Sequence, residues 1–390
     1  MHQKYLVKKL LKNNQSEHAY KDKLDVPDNV DSFMLNCRKT IRDKIRNDFS
    51  AYQETSNTML KSDENYAKSL RPKFFTQGSH AYKTQNLPCY SSQEIDLDDG
   101  VYFPMTFVEN NPAANKSMLV ALVRQSLSDL SEQTGWPLSE KKMCFRLQVD
   151  KQIHIDVPVY AIPDDKYAQL TEARLAALNF AFKDDNIPYQ RLDPTQVYVA
   201  LLDDNALWRQ SDPKQLHDWF ISQTKRYPFL RHICRYLKAW RDYEWQEGGP
   251  SSIMLMVAAV DALNQFPKMP ESECEALLVV TKALPSIFAG DINNPIDNNE
   301  NMFPSRCKEH AEILDIRERV TALSISYTEA VCEAQTKQLA VNTLISLFGQ
   351  RLPNREDWVQ EKATPSAIRK KPVVAAAAIT PSASRSHVSG

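Results

Sequence analysis

The stretch EIDLDDGVYFPM, residues 94–105, places three aspartates among residues that are typical of β-strands. Carboxylates this close repel one another, so a half-buried segment that carries three of them needs a physical reason. One interpretation is a solvated turn with Asp99 and Gly100 at its corner. The other is a site for a hard cation, which prefers carboxylate oxygens as ligands.

The order of residues within this stretch favours the cation site. Ile95 and Leu97 alternate with Asp96 and Asp98, so in a strand both aspartates project from one face while the apolar pair faces a core. From the rise per residue, the two carboxylates lie about 7 Å apart and can reach the same one or two cations. A turn has no need of such alternation.

A second strand supplies a third carboxylate. In QIHIDVPVY, residues 152–160, apolar residues alternate with His154 and Asp156. Taken alone, Asp156 is explained equally well by a solvated position on an open sheet face. The pair Gly78-Ser79, which lies upstream of the aspartates, offers backbone N–H groups and a hydroxyl to a phosphate.

The order of these elements is more specific than any one of them. A Gly-Ser turn, an Asp-x-Asp strand and a later apolar-Asp-apolar strand are the arrangement used for nucleotidyl transfer. There, two Mg²⁺ ions held by three carboxylates activate a hydroxyl and stabilise the leaving pyrophosphate. This order decides against the turn interpretation.

Composition sets wider limits. The chain has 390 residues, 42% of them hydrophobic and 25% charged, which is enough for two or three compact units. Its 48 basic and 49 acidic residues leave no overall field that would attract a polyanionic partner. No stretch has the ~20 apolar residues of a membrane span, and the charged N-terminus does not resemble a secretory signal.

Cysteine usage indicates a reducing compartment. The seven cysteines are scattered, odd in number and without a C-x-x-C pair, which argues against a zinc cluster and a disulfide framework. We therefore expect free thiols and a cytoplasmic protein.

Periodicity divides the chain into three parts. Residues 1–205 are predicted to form a catalytic core, with a long amphipathic helix over residues 29–53. Residues 206–355 read as successive helices that close the cleft, interrupted by a polar loop at 290–304. Residues 356–390, rich in Pro, Ala, Ser and basic residues, are predicted to be a flexible tail.

Between about residues 30 and 350 the sequence resembles a known family. The segments TQGS, QEIDLDDGVYFPM, HIDVPVYAIP, SDPKQLHDWF, LKAWRD and GGPSSIMLM are similar, in order and spacing, to the DncV-like bacterial cyclic GMP-AMP synthases. These are CD-NTases of the CBASS antiphage defence. The resemblance implies an α+β fold: a polymerase-β-like nucleotidyltransferase core (mixed sheet with helices) plus a helical C-terminal domain, here with a disordered tail.

The resemblance also implies roles for individual residues. Asp96, Asp98 and Asp156 would be the catalytic residues and the ligands of two Mg²⁺ ions. Nucleotide contacts would come from Gln77, Gly78, Ser79, Tyr82, Arg146, Ser211, Lys238, Ser252 and Asp297. Within this set, Gln77 and Ser79 would hold the acceptor's triphosphate, and Lys238 and Ser252 that of the other nucleotide.

Three departures from the family pattern limit what is carried over. The polar loop aligns loosely, so either Asp297 or Asn298 could be the base-contacting residue and base choice stays open. Phe75 stands where the family often has Trp. A zinc ribbon of the cGAS kind is missing from the sequence, so activation by DNA is not implied.

By resemblance, the enzyme would convert ATP and GTP into 3′,3′-cyclic GMP-AMP and two pyrophosphates in one active site. A ubiquitin-transferase-like enzyme would conjugate the C-terminal Gly390, and a downstream effector would respond to the cyclic dinucleotide. One alternative is a single-transfer nucleotidyltransferase acting on RNA or a small molecule, which would need a basic groove or an acidic pocket. Another is a non-catalytic protein with a decayed site, which would normally have lost a carboxylate.

Overall fold

Most of the strands lie in the first half of the chain, together with two long helices, and the second half is mainly helical. The structure is a computed structural model that describes residues 3–13, 18–59, 71–108, 112–167, 195–203 and 208–362. Its strands are β1 Tyr5–Leu6, β2 Lys73–Gln77, β3 Ile95–Pro104, β4 Leu138–Glu140, β5 Phe145–Asp150, β6 Ile153–Val157, β7 Val159–Ile162, β8 Tyr198–Ala200, β9 Trp208–Gln210, β10 Ile292–Asn294, β11 Asp297–Phe303 and β12 Gln360–Glu361. Its helices are α1 Lys8–Leu11, α2 Tyr20–Leu24, α3 Asp28–Met59, α4 Gly78–Tyr82, α5 Met105–Val108, α6 Pro112–Thr134, α7 Pro213–Arg226, α8 Leu230–Glu244, α9 Ser252–Gln265, α10 Glu273–Ala289, α11 His310–Thr328 and α12 Lys337–Phe348.

The first half is built on a mixed sheet of eight strands. Its order is β4-β5-β6-β3-β7-β8-β9, and β2 pairs with β3. Strand β3 runs antiparallel to β2 and parallel to both β6 and β7. Strands β6 and β7 flank Pro158, which lacks the N–H that would continue the ladder. Strands β6 and β7 nevertheless pair with β3 in the same register. The long β3, which also pairs with β2, is therefore the centre of the sheet.

The two faces of β3 have different partners. Leu97, Val101 and Phe103 are buried in the core beneath the sheet, where Phe103 packs on Phe49 with ring centroids 5.1 Å apart. Phe49 belongs to α3, which confirms the helix predicted over 29–53 and extends it. The alternate residues of β3 therefore face away from this core, towards the second half of the chain.

The second half is a helical layer with its own core. Helices α8, α9 and α10 contribute fully buried residues such as Leu237, Leu255 and Leu277 to one cluster. Helix α7 begins after Asp212, the N-cap, whose side chain accepts a 2.9 Å hydrogen bond from the Gln215 backbone. The predicted fold class, a mixed sheet with helices joined to a helical half, is confirmed. In the described part of the chain, no helix has the length and apolarity needed to cross a membrane.

Both ends of the described chain pack on the helical half, which differs from the predicted limits. Tyr5, Leu10 and Tyr20 are buried in the helical core, although the sequence assigned them to the catalytic core. Strand β1 pairs with β12, and Trp358 is 5% exposed, so residues 356–362 are folded rather than part of the predicted tail. The large apolar area of Trp358 gives this segment something to bury despite its polar surroundings. Residues 363–390, with Gly390, lie outside the described residues.

The prediction of a polar loop at residues 290–304 is wrong, because this segment forms the hairpin β10–β11. Strand propensity is weak here, yet Ile292, Met302 and Phe303 are fully buried in the helical core. Polar side chains link the strands: Asn294 Nδ2 donates to Glu300 at 2.7 Å. The register shifts along the hairpin remove the strict alternation by which a sequence reveals a strand.

Candidate active site

A cavity of about 960 Å³ lies between the sheet and the helical layer. Of the residues predicted to bind nucleotides or metal, those that line it are Gln77, Gly78, Ser79, Tyr82, Asp96, Asp98, Ser211, Lys238, Ser252 and Asp297. The fold thus brings together residues as distant in sequence as Gln77 and Asp297. The remaining two, Arg146 and Asp156, are paired with each other, as described below.

The register of the sheet aligns the predicted site residues in one row. Asp98 of β3 lies opposite Gln77 of β2 and opposite Asp156 of β6. Asp156 in turn lies opposite Arg146 of β5. The neighbouring row, two residues earlier on the same face, pairs Asp96 with His154. Alternation within each strand therefore predicted correctly that the three carboxylates share a face.

The neighbouring carboxylates perturb Asp98. The pKa of Asp98 is well above its usual value, first because the carboxyl is removed from water and then because Asp96 and Asp156 repel its charge. Arg146 and Lys238 oppose this shift only in part. Such repulsion is what a divalent cation would relieve, so the donor set fits a hard metal ion held by carboxylate oxygens.

Arg146 is the partner of Asp156. Its guanidinium donates from Nε and Nη2 to the two carboxylate oxygens, each at 2.8 Å. In this conformation the described residues contain no group of three or more acidic, histidine or cysteine side chains placed to hold a metal ion. The predicted roles of Asp156 as metal ligand and Arg146 as nucleotide contact therefore stay predictions. Each role requires the Arg146–Asp156 ion pair either to break or to admit the metal ion or nucleotide as an additional partner.

His154 and Glu94 are site neighbours that the sequence interpretation did not single out. His154 Nδ1 lies 3.0 Å from Glu94 Oε2, and its Nε2 lies 4.0 Å from Asp156 Oδ2. The ring is 5% exposed. The signal was present, since His154 alternates with the apolar residues of β6 on the same face as Asp156.

The backbone of Gly78 lies close to the carboxylate of Asp98. Its φ is +66°, and a Cβ on this residue would lie 1.9 Å from Asp98 Oδ2. A side chain at this position would therefore collide with a predicted metal ligand and strain the backbone as well. Ser79 follows directly and lines the cavity.

Gln77 is held by two tyrosines that the sequence did not reveal as site residues. Tyr102 donates to Gln77 Oε1 at 3.0 Å, and Gln77 Nε2 donates to the Tyr160 hydroxyl at 2.9 Å. The two rings stack, with centroids 4.6 Å apart, and Gln77 is 7% exposed. Its amide is thus engaged by the protein, which positions β2 beside the cavity.

Tyr82 is packed among other aromatic rings. Tyr82 packs on Phe220 with centroids 5.4 Å apart and stacks on His217 at 5.9 Å. Phe75, at the position where the family often has Trp, meets the His217 ring edge-on at 5.9 Å. Tyr82 also lines the cavity, although only 6% of the residue is exposed.

The helical wall supplies cationic and hydroxyl groups. Lys238 of α8 is 6% exposed, and its Nζ donates to the Thr84 carbonyl at 2.9 Å. Burial lowers the pKa of Lys238, while the nearby Asp96 carboxylate acts in the opposite direction. A bound phosphate would add further negative charge and favour the ammonium form.

Ser252 is the first residue of α9. Its hydroxyl accepts a 3.2 Å hydrogen bond from Arg241 Nη1. The cap of the helix is the preceding residue, Ser251, whose hydroxyl accepts from the Met254 backbone at 3.4 Å. Ser251 therefore caps the helix, and Ser252 lines the cavity.

Ser211, before α7, and the hairpin β10–β11 also line the cavity. Asp297 opens β11 and lies opposite Asn294. Both line the cavity, so the predicted base contact is placed where a ligand would reach it. The side chain of Asn298, the alternative candidate, lies outside the described residues.

Asp99, the third aspartate of the opening stretch, has a structural role. It is 1% exposed and lies on the core face, where Arg42 binds both carboxylate oxygens, with Nε at 2.6 Å from Oδ2. Thr76 donates to Asp99 Oδ1 at 2.8 Å. This buried ion pair fastens α3 to the centre of the sheet, away from the cavity.

Asp99→Asn is expected to destabilise the protein by roughly 3–5 kcal/mol, because it leaves the Arg42 guanidinium without its buried counter-charge. Urea unfolding of the two proteins measures this loss. Arg124→Gln, which removes one side of an exposed pair with Glu140, is the matched control and should cost less than about 1 kcal/mol. Equal losses in the two variants would contradict the structural role.

A mixed sheet with a row of carboxylates, facing a helical layer that offers a lysine and a serine, defines a nucleotidyltransferase. Profiles of two domains match the chain: the DncV-like nucleotidyltransferase domain of cyclic GMP-AMP synthase at residues 72–160 and the C-terminal domain of cyclic GMP-AMP synthase at residues 228–361. The chain belongs to the DncV-like cyclic GMP-AMP synthase family, and it is a cyclic dinucleotide synthase. Nucleotidyltransferases of this type generally use a divalent metal ion.

Similar proteins span most of the chain. The cyclic GMP-AMP synthase of Vibrio cholerae serotype O1 is 36% identical over 313 residues, which cover 76% of this chain and 71% of the relative. That of Escherichia coli strain TW11681 is 34% identical over 311 residues, covering 76% and 72%. The crystal structure of Vibrio cholerae DncV cyclic AMP-GMP synthase in complex with linear intermediate 5′ pppA(3′,5′)pG has a TM-score of 0.77 and 27% identity, covering 93% of this chain and 100% of that one.

Proposed function

We propose that the enzyme uses ATP and GTP and makes 3′,3′-cyclic GMP-AMP through two Mg²⁺-dependent transfers in the single cavity. The observation that carries this proposal is that Asp98, which lies opposite Asp156 in the sheet, lines one cavity together with Asp96, Lys238 and Ser252. The Vibrio cholerae relatives support the choice of nucleotides, since DncV has been solved with GTP and, as a variant, with ATP and GTP.

In each transfer, a 3′-hydroxyl oxygen bonds to the α-phosphorus of a nucleoside triphosphate, and the bond from that phosphorus to the pyrophosphate oxygen breaks. When bound, two Mg²⁺ ions would activate the hydroxyl and stabilise the negative charge of the leaving pyrophosphate. Asp96, Asp98 and Asp156 would hold the ions. The second transfer closes the ring, so two triphosphates yield one cyclic dinucleotide and two pyrophosphates.

The other residues of the cavity position the nucleotides. Lys238 and the Ser252 hydroxyl lie on the helical wall, where they would bind the triphosphate of the donor. Ser79 would bind the triphosphate of the acceptor, beside the carboxylates. Tyr82 would stack on a base, and Ser211 and Asp297 would also contact a base.

Ser252→Ala is expected to raise KM for one nucleotide about ten- to a hundred-fold, since a hydrogen bond to a charged group is worth about 1.5–3 kcal/mol. Ser251→Ala is the matched control, because Ser251 caps the helix and Ser252 lines the cavity. That control should lose about 1 kcal/mol of stability with KM unchanged. Steady-state kinetics with each nucleotide varied in turn measure KM for both variants. An unchanged KM in Ser252→Ala would show that Ser252 is a purely structural residue.

The product assay tests the function itself. The full-length protein is incubated with Mg²⁺ and the four nucleoside triphosphates, each labelled in turn, and the products are separated and identified by mass. Cyclic GMP-AMP from ATP plus GTP is the expected result. A linear adduct on RNA or on a small molecule, without cyclic dinucleotide, would instead support the single-transfer alternative.

The predicted partners rest on the family resemblance. A ubiquitin-transferase-like enzyme acting at Gly390 and an effector that binds the product are proposals of the sequence alone, because residues 363–390 lie outside the described part of the chain. A role in antiphage defence follows from the same resemblance. The identity of the metal as Mg²⁺ and the number of two ions are likewise proposals from this resemblance.

A further inference from the structure

A charged network in the cavity wall joins β9 to the hairpin β10–β11. Glu300 Oε1 accepts hydrogen bonds from Arg209 Nη2 at 2.6 Å and from Arg306 Nη2 at 2.7 Å. Its other oxygen accepts from Asn294 at 2.7 Å. All four side chains line the cavity.

This network joins the two halves of the molecule. Arg209 lies on β9, the last strand of the sheet order, and its neighbour Trp208 is buried in the core beneath the sheet. Glu300 lies on β11, and its neighbour Met302 is buried in the helical core. The contact between Arg209 and Glu300 therefore links the two separately packed halves at the wall of the cavity.

The two sides of the cleft differ in how firmly they are joined. Near Thr84, the halves are held by hydrogen bonds to backbone carbonyls, from Lys238 to Thr84 at 2.9 Å and from Gln93 to Asp242 at 2.7 Å. Arg209 and Glu300 join through side chains alone, which are 45% and 23% exposed. We expect the contacts near Thr84 to act as a hinge. The Arg209–Glu300 ion pair costs less free energy to break, so the halves separate more easily there.

The surroundings of Glu300 keep its carboxylate ionised for the contact with Arg209. Burial acts to raise its pKa, but hydrogen bonds from Asn294 and Arg306 together with the charges of Arg306 and Arg209 bring the pKa below its usual value. The carboxylate is thus ionised at neutral pH, and Arg306 orients it from within its own half. Arg209 is the member that comes from the other half.

A synthase that works twice in one site has a particular need for such a contact. After the first transfer, the linear dinucleotide must leave its first set of contacts and turn so that its other end meets the carboxylates. During this turn it is held by fewer protein contacts, and release competes with ring closure. A closed cleft lowers the rate of release without taking part in the chemistry.

We propose that the Arg209–Glu300 ion pair is a clasp that keeps the cleft closed over the linear dinucleotide between the two transfers. This inference rests on the proposed function, since it presumes a linear intermediate. Arg209 and Glu300 act as positioning residues in this role. The clasp must also open for nucleotide entry and pyrophosphate exit, which suits a partly exposed ion pair better than a buried one.

The test is a pulse-chase experiment on Arg209→Gln and Glu300→Gln. Labelled nucleotides are mixed with enzyme, excess unlabelled nucleotides are added within one turnover, and the released linear and cyclic products are counted. We expect the ratio of released linear to cyclic product to rise about two- to five-fold, the range that a partly exposed ion pair supports. The double variant should release no more than Glu300→Gln, because both changes break the same contact.

Controls separate the clasp from a general loss of stability. Arg124→Gln removes an Arg–Glu pair of similar exposure, 42% and 41%, outside the cavity, and should leave the ratio unchanged. Raising the ionic strength should increase the ratio in the wild-type protein and have less effect in Arg209→Gln. An unchanged ratio in both test variants, or an equal rise in Arg124→Gln, would overturn the clasp while cyclic synthesis stands. A wild-type protein that makes no dinucleotide would overturn the proposed function and the clasp with it.

Discussion

Asp98→Asn is expected to abolish nucleotidyl transfer and, at the same time, to raise the thermal stability of the cation-free protein. Activity should fall by about 10³-fold or more, since metal-assisted stabilisation of the transition state is worth several kcal/mol and each 1.36 kcal/mol is a factor of ten. Stability should rise because the variant removes a charge that burial, Asp96 and Asp156 all disfavour. A relief of about 1 kcal/mol corresponds to roughly 2–4 °C in a domain of 150–250 residues.

The sign of the pH dependence follows from the raised pKa of Asp98. The folded protein binds the Asp98 proton more tightly than the unfolded chain does, so wild-type stability falls as the pH rises from the usual Asp range through the raised folded value. Asn has no proton to lose. The gain in melting temperature of Asp98→Asn over wild type should therefore be small in acid and grow as the pH rises.

Added cation should reverse this order of stability. Mg²⁺ or Mn²⁺ is expected to raise the melting temperature of the wild-type protein, because a ligand that binds only the folded state stabilises it, and to have little effect on Asp98→Asn. Asp99→Asn is the control from the adjacent residue, and it should be destabilised yet still respond to the cation. Differential scanning fluorimetry with and without cation measures all three proteins. An Asp98→Asn protein that is less stable than wild type without cation, or that responds equally to it, would contradict the metal-site assignment.

The local patterns of the sequence predicted the parts of this site that depend on one strand at a time. Alternation places Asp96 and Asp98 on one face of β3 and Asp156 on the matching face of β6, and the structure brings these faces together. Helical periodicity likewise predicted α3, whose apolar residues repeat every four positions beneath the sheet. In each case, the spacing along the chain directly fixes which side chains share a surface.

The parts that were not predicted depend on partners distant in sequence. Alternation puts Asp99 on the core face, where a charge is unexpected, and nothing local reveals that Arg42 of α3 neutralises it. The pairing of Arg146 with Asp156 depends on the register between β5 and β6. The same is true of the hairpin β10–β11, whose buried residues meet helices that precede it in the chain. These contacts are set by tertiary packing, which overrides local propensity.

Gly78→Ala is expected to lower nucleotidyl transfer by about a hundred-fold or more, although it alters no group that takes part in the chemistry. The new Cβ would lie 1.9 Å from Asp98 Oδ2, so the carboxylate, the backbone or both must move by an ångström or more. A misplacement of about 1 Å at a reacting centre costs on the order of 10²-fold. The positive φ of 66° adds a backbone strain of about 1 kcal/mol, because Ala disfavours this region.

Gly135→Ala separates the collision from the strain. Gly135 has a similar φ of +73°, but a Cβ there would meet nothing within 4 Å, and the residue lies beyond α6, outside the cavity. It should lose about 1 kcal/mol of stability and keep full activity. Initial rates of pyrophosphate release and melting temperatures of both variants give the comparison. If the two alanine variants lose stability equally and both stay active, Gly78 is required only for its backbone angle; if Gly78→Ala alone loses transfer and cation binding, the close approach of glycine to Asp98 is what keeps that carboxylate in place.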